Sequence, residues 1–261
     1  MALPDRGLGY GDGLFETLLL NAGHIFYLEH HLERLQRGMQ VLGLSHSLDD
    51  LTLQLRDAAQ AVQHIPWAAL RLTLTRGAGP RGYLPPEQGI CQAIIESSEL
   101  QRDGDSPASP VALGIAELRL GNQPVLAGLK HLNRLEQVLA AAQLARAGYE
   151  EGIVLDGDDN VVSVVSGNIF ALQGNHIETP ALLRCGVAGT RRAILISRWA
   201  RAIGLEVIEK TMNLRDLERA DEVFYTNALV GVRSVAAIAD TKYPRRTVAQ
   251  RLFEAYRADR S

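Results

Sequence analysis

The chain has 261 residues, 46% hydrophobic and 22% charged, ordinary proportions for a globular protein with material for one large core or two moderate ones. A formal net charge of −3 excludes the basic footprint of a nucleic-acid binder. Two cysteines make no disulfide framework, no apolar run approaches a membrane span, and MALPDRGLGYGDG lacks a basic-then-apolar leader, so a cytoplasmic protein is expected. In chain order, GLFETLLLNAGHIFYL reads as a hairpin turned at Asn-Ala-Gly (21–23), followed by helices over about 28–42 and 48–63. ALRLTLTRG (69–77) and QAIIESSE (92–99) read as strands. The polar, proline-bearing QRDGDSPASP (101–110) reads as a linker. Beyond it, VALGIAEL is a strand candidate, and an amphipathic helix opens near Lys130 and runs to about Ala147, with Leu132, Leu135, Leu139 and Ala142 at helical steps. EGIVLDGDDNVVSVVSGNIFAL (151–172) reads as two strands around an Asp-Gly-Asp-Asp-Asn turn, continuing through GNHIET. A glycine-opened helix (187–204), a strand (EVIEKTM), a short helix (214–220), a strand–turn–strand (221–235) and a terminal helix complete the chain. The expected fold class is α+β, mixed helix and sheet in two unequal domains, 1–105 and 106–261, without internal repeats.

Several motifs point away from common chemistries. The glycines of GLGYGDG (7–13) neither follow a strand nor open a helix, so they are not a dinucleotide fingerprint. RGAGPRGY (76–83) lacks the Gly-Lys-Ser/Thr ending of a phosphate loop. Its arginines, Arg76 and Arg81, flank a turn that is either solvated or suited to a ligand with carboxylates. The seven histidines lack zinc spacing and no Ser-His-Asp order is recognisable, so no metal and no serine-hydrolase chemistry is expected.

Lys130, in LAGLKHLNRLEQVL (126–139), is placed unfavourably for a helix start, because a cation opposes the helix dipole there. It is either a surface lysine or a functional amine. GVAGTRR (186–192) and TNAL (226–229) are either an ordinary helix start and hairpin or two backbone-amide faces for an anion. With Arg34 of HLERL (31–35), they can form three sides of a phosphate cup, and a lysine, a phosphate cup and no metal together suggest pyridoxal phosphate.

Over essentially its whole length the chain resembles the fold-type IV pyridoxal-phosphate enzymes, and among them it is similar to the aminodeoxychorismate lyases. The resemblance rests on DRGLGYGDGLFET (5–17), HLERL, RGAGPRGY, LAGLKHLNRLEQVL, SGNIF (166–170), the segment from Thr179-Pro180 through GVAGTRR, and ADEVFYTNAL (220–229). It implies a small N-terminal α/β domain and a larger C-terminal domain with a β-barrel-like sheet carrying the cofactor lysine. It implies that Lys130 bears pyridoxal 5'-phosphate and that Arg34 with the amides of Gly189, Thr190, Arg191, Asn227 and Ala228 holds the phosphate. Arg76, Arg81 and Tyr83 are then expected on the substrate side, and a homodimer is implied. The reaction implied is conversion of 4-amino-4-deoxychorismate to 4-aminobenzoate and pyruvate in folate biosynthesis. The alternatives are a branched-chain or D-amino-acid aminotransferase of the same fold type, or a degenerate non-catalytic homologue.

Two departures accompany the resemblance. Family members carry a further strand before the Asp-Arg-Gly motif, whereas only Met1–Pro4 precede it in this sequence, implying a lost strand or a start placed too far downstream. Counting back from Asn168, the family's glutamate against the pyridine nitrogen is replaced by Ser163. A hydroxyl does not hold the protonated nitrogen as a carboxylate does, so the electron sink is weakened. Transamination is expected to suffer more than the lyase reaction, in which charge drains into a leaving group as a ring becomes aromatic.

Overall fold

The computed structural model describes residues 4–87, 89–102 and 106–259. The first three residues, and residues 103–105 of the expected linker, lie outside the described residues. The chain forms two compact units, one of residues up to 104 together with Leu129–Asn133, the other of residues 105–128 and everything from Arg134 onward. The sequence reading assigned Lys130 to the second domain; the structure groups it with the first.

In the first unit, α1 (Arg6–Tyr10) precedes β1 (Gly13–Asn21) and β2 (His24–Ile25). Then come α2 (Leu28–Leu42), α3 (Leu48–Ala61), β3 (Trp67–Thr75) and β4 (Gln92–Glu99). The strands form one antiparallel sheet in the order β2-β1-β3-β4. Leu14, Leu18 and Leu20 of β1 join Leu70, Leu72 and Leu74 of β3, and Leu35, Met39, Leu51 and Leu55 of the two helices, in one core. Glycines 7, 9, 11 and 13 had hidden α1, which forms because Asp5 accepts from the amides of Gly7 (2.7 Å) and Leu8 (3.4 Å). Gly11, at φ +64°, ends it.

Glu16 lies on the leucine face of β1, since side chains alternate along a strand. A carboxylate there is tolerated because α2 brings two partners. Arg34 donates from Nε (2.8 Å) and Nη2 (2.5 Å), and His31 Nδ1 lies 2.6 Å away. Burial opposes ionisation of Glu16, but Arg34 and His31 outweigh it and hold its pKa at about 2.

The second unit begins with β5 (Val111–Leu120) and α4 (Leu135–Arg146). There follow β6 (Glu151–Asp156), β7 (Val161–Val164), β8 (Asn168–Gln173) and β9 (His176–Pro180). A helical stretch comprises α5 (Thr190–Ile194), a π-helical turn (Leu195–Trp199) and α6 (Ala200–Ala202). Last come β10 (Glu206–Lys210), α7 (Leu214–Glu218), β11 (Glu222–Asn227), β12 (Gly231–Ile238), β13 (Thr241–Lys242) and α8 (Thr247–Asp259). The sheet runs β10-β9-β8-β11-β12-β5-β6-β7, with β13 beside β12. Its ends approach one another. Val161 of β7 bridges Met212, just after β10, with its amide 2.8 Å from the Met212 carbonyl. The sheet therefore curls into the barrel-like form expected, around a core that includes Leu113, Ile153, Ile169, Tyr225 and Val235.

The helix expected at Lys130 starts five residues later, at Leu135. Residues 130–132 are instead committed to a ladder. Phe15 donates its amide to the Lys130 carbonyl (2.9 Å), and Leu132 donates to that of Gly13 (3.0 Å). The apolar stripe was also misplaced, because Leu135, Val138 and Leu139 are exposed while Ala140 and Leu144 of α4 are buried.

The depressed pKa of Glu16 sets a pH dependence. Its contribution to stability is complete above the ordinary glutamate range and is lost as pH falls from about 4.5 toward 2. Urea unfolding across pH 2–7 should show this slope, and Glu16→Gln should flatten it while costing about 3–5 kcal/mol at neutral pH, because Arg34 is left buried without its anion.

Candidate active site

Lys130 sits beside an isolated bridge at the open edge of β1. The pairing of Leu14 with His131 covers the end of β1 that β2 leaves open, and it sets Lys130 beside Phe15 on the same face. The amine lies 4.1 Å from the centre of the Phe15 ring. The Arg71 guanidinium lies 4.3 Å from that same centre, carried there because Arg71 is the diagonal neighbour of Phe15 across the β1–β3 pair. Two cations thus share one aromatic ring, each within the attraction of its quadrupole. The sequence reading missed Arg71. Its place inside the alternating run ALRLTLTRG was the available signal, since a charged residue there faces away from the leucine side.

Arg34 stands apart from this group. Phe15 and Glu16 leave β1 on opposite faces, and Arg34 is engaged through Nε and Nη2 by Glu16. Arg76, expected on the substrate side, is buried and engaged at the end of α2. It is 8% exposed, with Nε and Nη2 on the two Asp12 oxygens (2.7 and 3.0 Å). Its Nη1 and Nη2 also donate to the carbonyls of Gly43 (2.9 Å) and Leu42 (2.5 Å). A guanidinium at the last carbonyls of α2 is a helix cap, favoured by the dipole, and its donors are spent on it. Arg81 and Tyr83, by contrast, are exposed on the loop between β3 and β4.

In the second unit, three loops converge where β8 and β11 pair. Asn168 of β8 lies opposite Thr226 of β11. The Asn168 side chain accepts from the Gly189 amide (3.1 Å) and donates to the Val187 carbonyl (2.9 Å), fastening the approach to α5. A Cβ at position 189 would stand 2.2 Å from Asn168 Oδ1, so only glycine permits this contact. Arg191 donates to the Ala228 carbonyl (3.2 Å), and Asn227 Nδ2 donates to Ser166 Oγ (3.3 Å). Gly189, Thr190 and Arg191 are thereby brought together with Asn227 and Ala228. The Asn227 carboxamide oxygen is occupied by the amides of Leu229 (3.0 Å) and Val230 (2.9 Å), so that side chain shapes the turn.

This cluster fits a phosphate. No side chain caps α5 at Gly189, which leaves its first amides pointing out of the helix end. Thr226 Oγ1 is buried without a hydrogen-bond partner one residue before Asn227-Ala228. Among the described residues, no group of three or more His, Cys, Asp or Glu side chains could hold a metal ion. No helix among them is long and apolar enough to cross a membrane.

Ser163 lies on β7, which carries a bulge. Val161 pairs with Leu155 and Ser163 with Val154, so Val162 is the extra residue. The bulge allows Val161 and Val164 to enter one core and turns half-buried Ser163 to the other side.

The sequence matches the amino-transferase class IV family over residues 13–238. It is 32% identical to an aminodeoxychorismate lyase of Vibrio harveyi over 240 residues, 91% of this chain and 87% of that one. It is also 32% identical to a putative branched-chain-amino-acid aminotransferase of Methanocaldococcus jannaschii over 243 residues, 90% of this chain and 81% of the other. The fold superposes on the crystal structure of 4-amino-4-deoxychorismate lyase from Pseudomonas aeruginosa with a TM-score of 0.90 and 38% identity, covering 99% and 95% of the two chains. On the pattern from Gly13 to Ile238 that holds the lysine beside β1 and the loops around Asn168, the chain belongs to the amino-transferase class IV family, whose cofactor is pyridoxal phosphate.

Proposed function

We propose that this protein is a pyridoxal-phosphate-dependent lyase that converts 4-amino-4-deoxychorismate to 4-aminobenzoate and pyruvate, and that it acts as a cytoplasmic homodimer. The observation that carries the reading is the pairing of Lys130 with Arg71 across one aromatic ring. An amine and a guanidinium gathered at one ring suit a substrate that presents an amino group and carboxylates. The likeness over 99% of the chain to the Pseudomonas aeruginosa lyase supports the same choice.

In this reading Lys130 bears the cofactor, and the amides of Thr190, Arg191, Asn227 and Ala228 hold its phosphate with Arg34, while Gly189, its amide given to Asn168, sets the approach of that turn. Glu16 keeps the Arg34 fork in one orientation. Arg81, Tyr83 and Arg71 bind the substrate, with Arg71 taking the place that Arg76 had on sequence grounds. When bound, pyridoxal phosphate supplies an electron sink that acidifies the substrate C4–H. Lys130 Nζ then takes the C4 proton as general base. The electron pair closes toward C3 as the C3–O bond breaks, enolpyruvate leaves and gains a proton to become pyruvate, and the six-membered ring becomes aromatic. The Phe15 ring faces the ammonium that Lys130 becomes on taking the proton. Lys130→Ala should remove both the visible absorbance of the cofactor-loaded protein and all formation of 4-aminobenzoate. Turnover by that variant would exclude the assignment.

Ser163 presents a hydroxyl where the family has a carboxylate, so a protonated ring nitrogen receives no fixed counter-charge from it. The lyase tolerates this better than a transaminase, because its departing enolpyruvate removes the developing charge. Ser163→Glu should raise transamination with pyruvate relative to lyase turnover by about tenfold, the equivalent of about 1.4 kcal/mol between the two barriers. An unchanged ratio, read in parallel assays of one preparation, counts against this role.

The homodimer reading draws on α4, whose Leu135, Val138 and Leu139 are exposed along one side. Leu139→Asp with Val138→Asp should yield a monomer by sedimentation velocity at concentrations where the parent sediments as a dimer.

A further inference from the structure

Every polar group of the Gly82 backbone is held by α1. The Gly82 amide donates to Tyr10 Oη at 3.1 Å, and its carbonyl accepts from Arg6 Nη1 at 2.9 Å. The next carbonyl, that of Tyr83, accepts from Arg6 Nη2 at 2.8 Å. A single guanidinium thus grips two consecutive carbonyls with the two ends of its fork. The third corner, Nε, rests on Asp12 Oδ2 at 3.0 Å, so the fork cannot swing. Asp12 is itself locked by Arg76, which is locked in turn by the C-terminus of α2. The rings continue the series, with the Arg6 guanidinium 4.7 Å from the Tyr10 ring centre and the Tyr10 and Tyr83 rings 5.7 Å apart.

What this apparatus holds is out of proportion to any packing role. Arg6 is 4% exposed, a buried cation with its carboxylate shared by a second arginine, whereas the Tyr83 side chain it supports is 88% exposed. Gly82 adopts φ +107°, a conformation open only to glycine and otherwise entropically free. A buried charge network that ends on a solvent-facing glycine turn fixes the direction of the two side chains flanking that turn, Arg81 and Tyr83. We infer that Arg6 and Tyr10 are positioning residues that preorganise the Arg81–Tyr83 turn for the carboxylate-bearing substrate, and so set its affinity without taking part in the proton transfer. This rests on the reading above that Arg81 and Tyr83 contact substrate. The ordering cost of the turn is met during folding, so binding does not have to meet it again.

Two conservative variants test the clamp. Tyr10→Phe keeps the ring and loses one hydrogen bond; Arg6→Lys keeps the charge and loses the fork. In the cofactor-loaded protein, native-state trypsin cleavage after Arg81, followed by mass spectrometry, should rise about fivefold in Tyr10→Phe and more in Arg6→Lys. KM for aminodeoxychorismate should rise by a similar factor, with kcat and the cofactor absorbance retained. Unchanged cleavage after Arg81 in folded Tyr10→Phe overturns the clamp, and that readout stands even if Arg6→Lys does not fold. Faster cleavage with an unaltered KM overturns the link to substrate. If the parent protein has no lyase activity, the proposed reaction fails, while the cleavage rates still decide whether Arg6 and Tyr10 hold the turn.

Discussion

The pairing of residues 130–132 with the first residues of β1 is the constraint on which the candidate site depends. Backbone hydrogen bonds place a lysine next to a strand, where its Cβ direction is dictated by the pleat, and the partner residue on that face is Phe15. A lysine on a loop loses most of its rotamer freedom only when something binds it. On this edge, the direction of the side chain is set before any ligand arrives. The same ladder requires Gly13 to lack a side chain, because a Cβ there would meet the Leu74 carbonyl at 2.4 Å and Leu132 at 2.8 Å. Gly13 therefore serves the lysine's ladder, whereas Gly11 of the same motif serves the end of α1.

The arginines show how the same residue type is divided between architecture and chemistry. Arg6 and Arg76 are buried on one shared carboxylate and finish on backbone carbonyls, so their charges are consumed in joining α1, the end of α2 and the loop after β3. Arg71 extends from the middle of β3, exposed, over the face of an aromatic ring. Exposure and the degree of hydrogen-bond saturation separate the two classes, and neither property is visible in the string RLTLTRGAGPRGY.

That accounts for what could be read in advance and what could not. Strands and helices with clear periodicity, such as β1, α2, α3, β3 and β4, stand where alternation and caps put them, because local pattern and burial agree. The segments that failed are those where tertiary pairing overrides local preference. Leu132 and Leu135 sit at helical spacing, yet Leu132 is drawn into a ladder with β1 and Leu135 faces outward. α1 was invisible because Gly7 and Gly9 are poor helix formers, and the helix exists through the Asp5 cap and the contacts of Arg6. The loops around Asn168 were legible as possible amide faces. Their convergence was not, since it depends on Asn168 and Thr226 being opposite one another across β8 and β11.

In the proposed reading Ser163 gives the ring nitrogen no carboxylate, and the neighbouring strand carries a buried one, Glu151 at the start of β6. Its oxygens are already committed. They accept from the amides of Gly152 (3.0 Å), Val165 (2.9 Å) and Ser166 (3.2 Å), and from the Ser166 hydroxyl. Those bonds build the turn from β7 into β8, and through Ser166 they reach Asn227. Moving Glu151 toward another partner would take the acceptor away from three backbone amides, those of Gly152, Val165 and Ser166, and loosen the turn. The carboxylate that shapes the cup is therefore not the one that the ring nitrogen lacks. In the proposed reading, turns that hold a phosphate beside a ring nitrogen facing only the Ser163 hydroxyl suit the expulsion of a leaving group better than the holding of a fully delocalised carbanion.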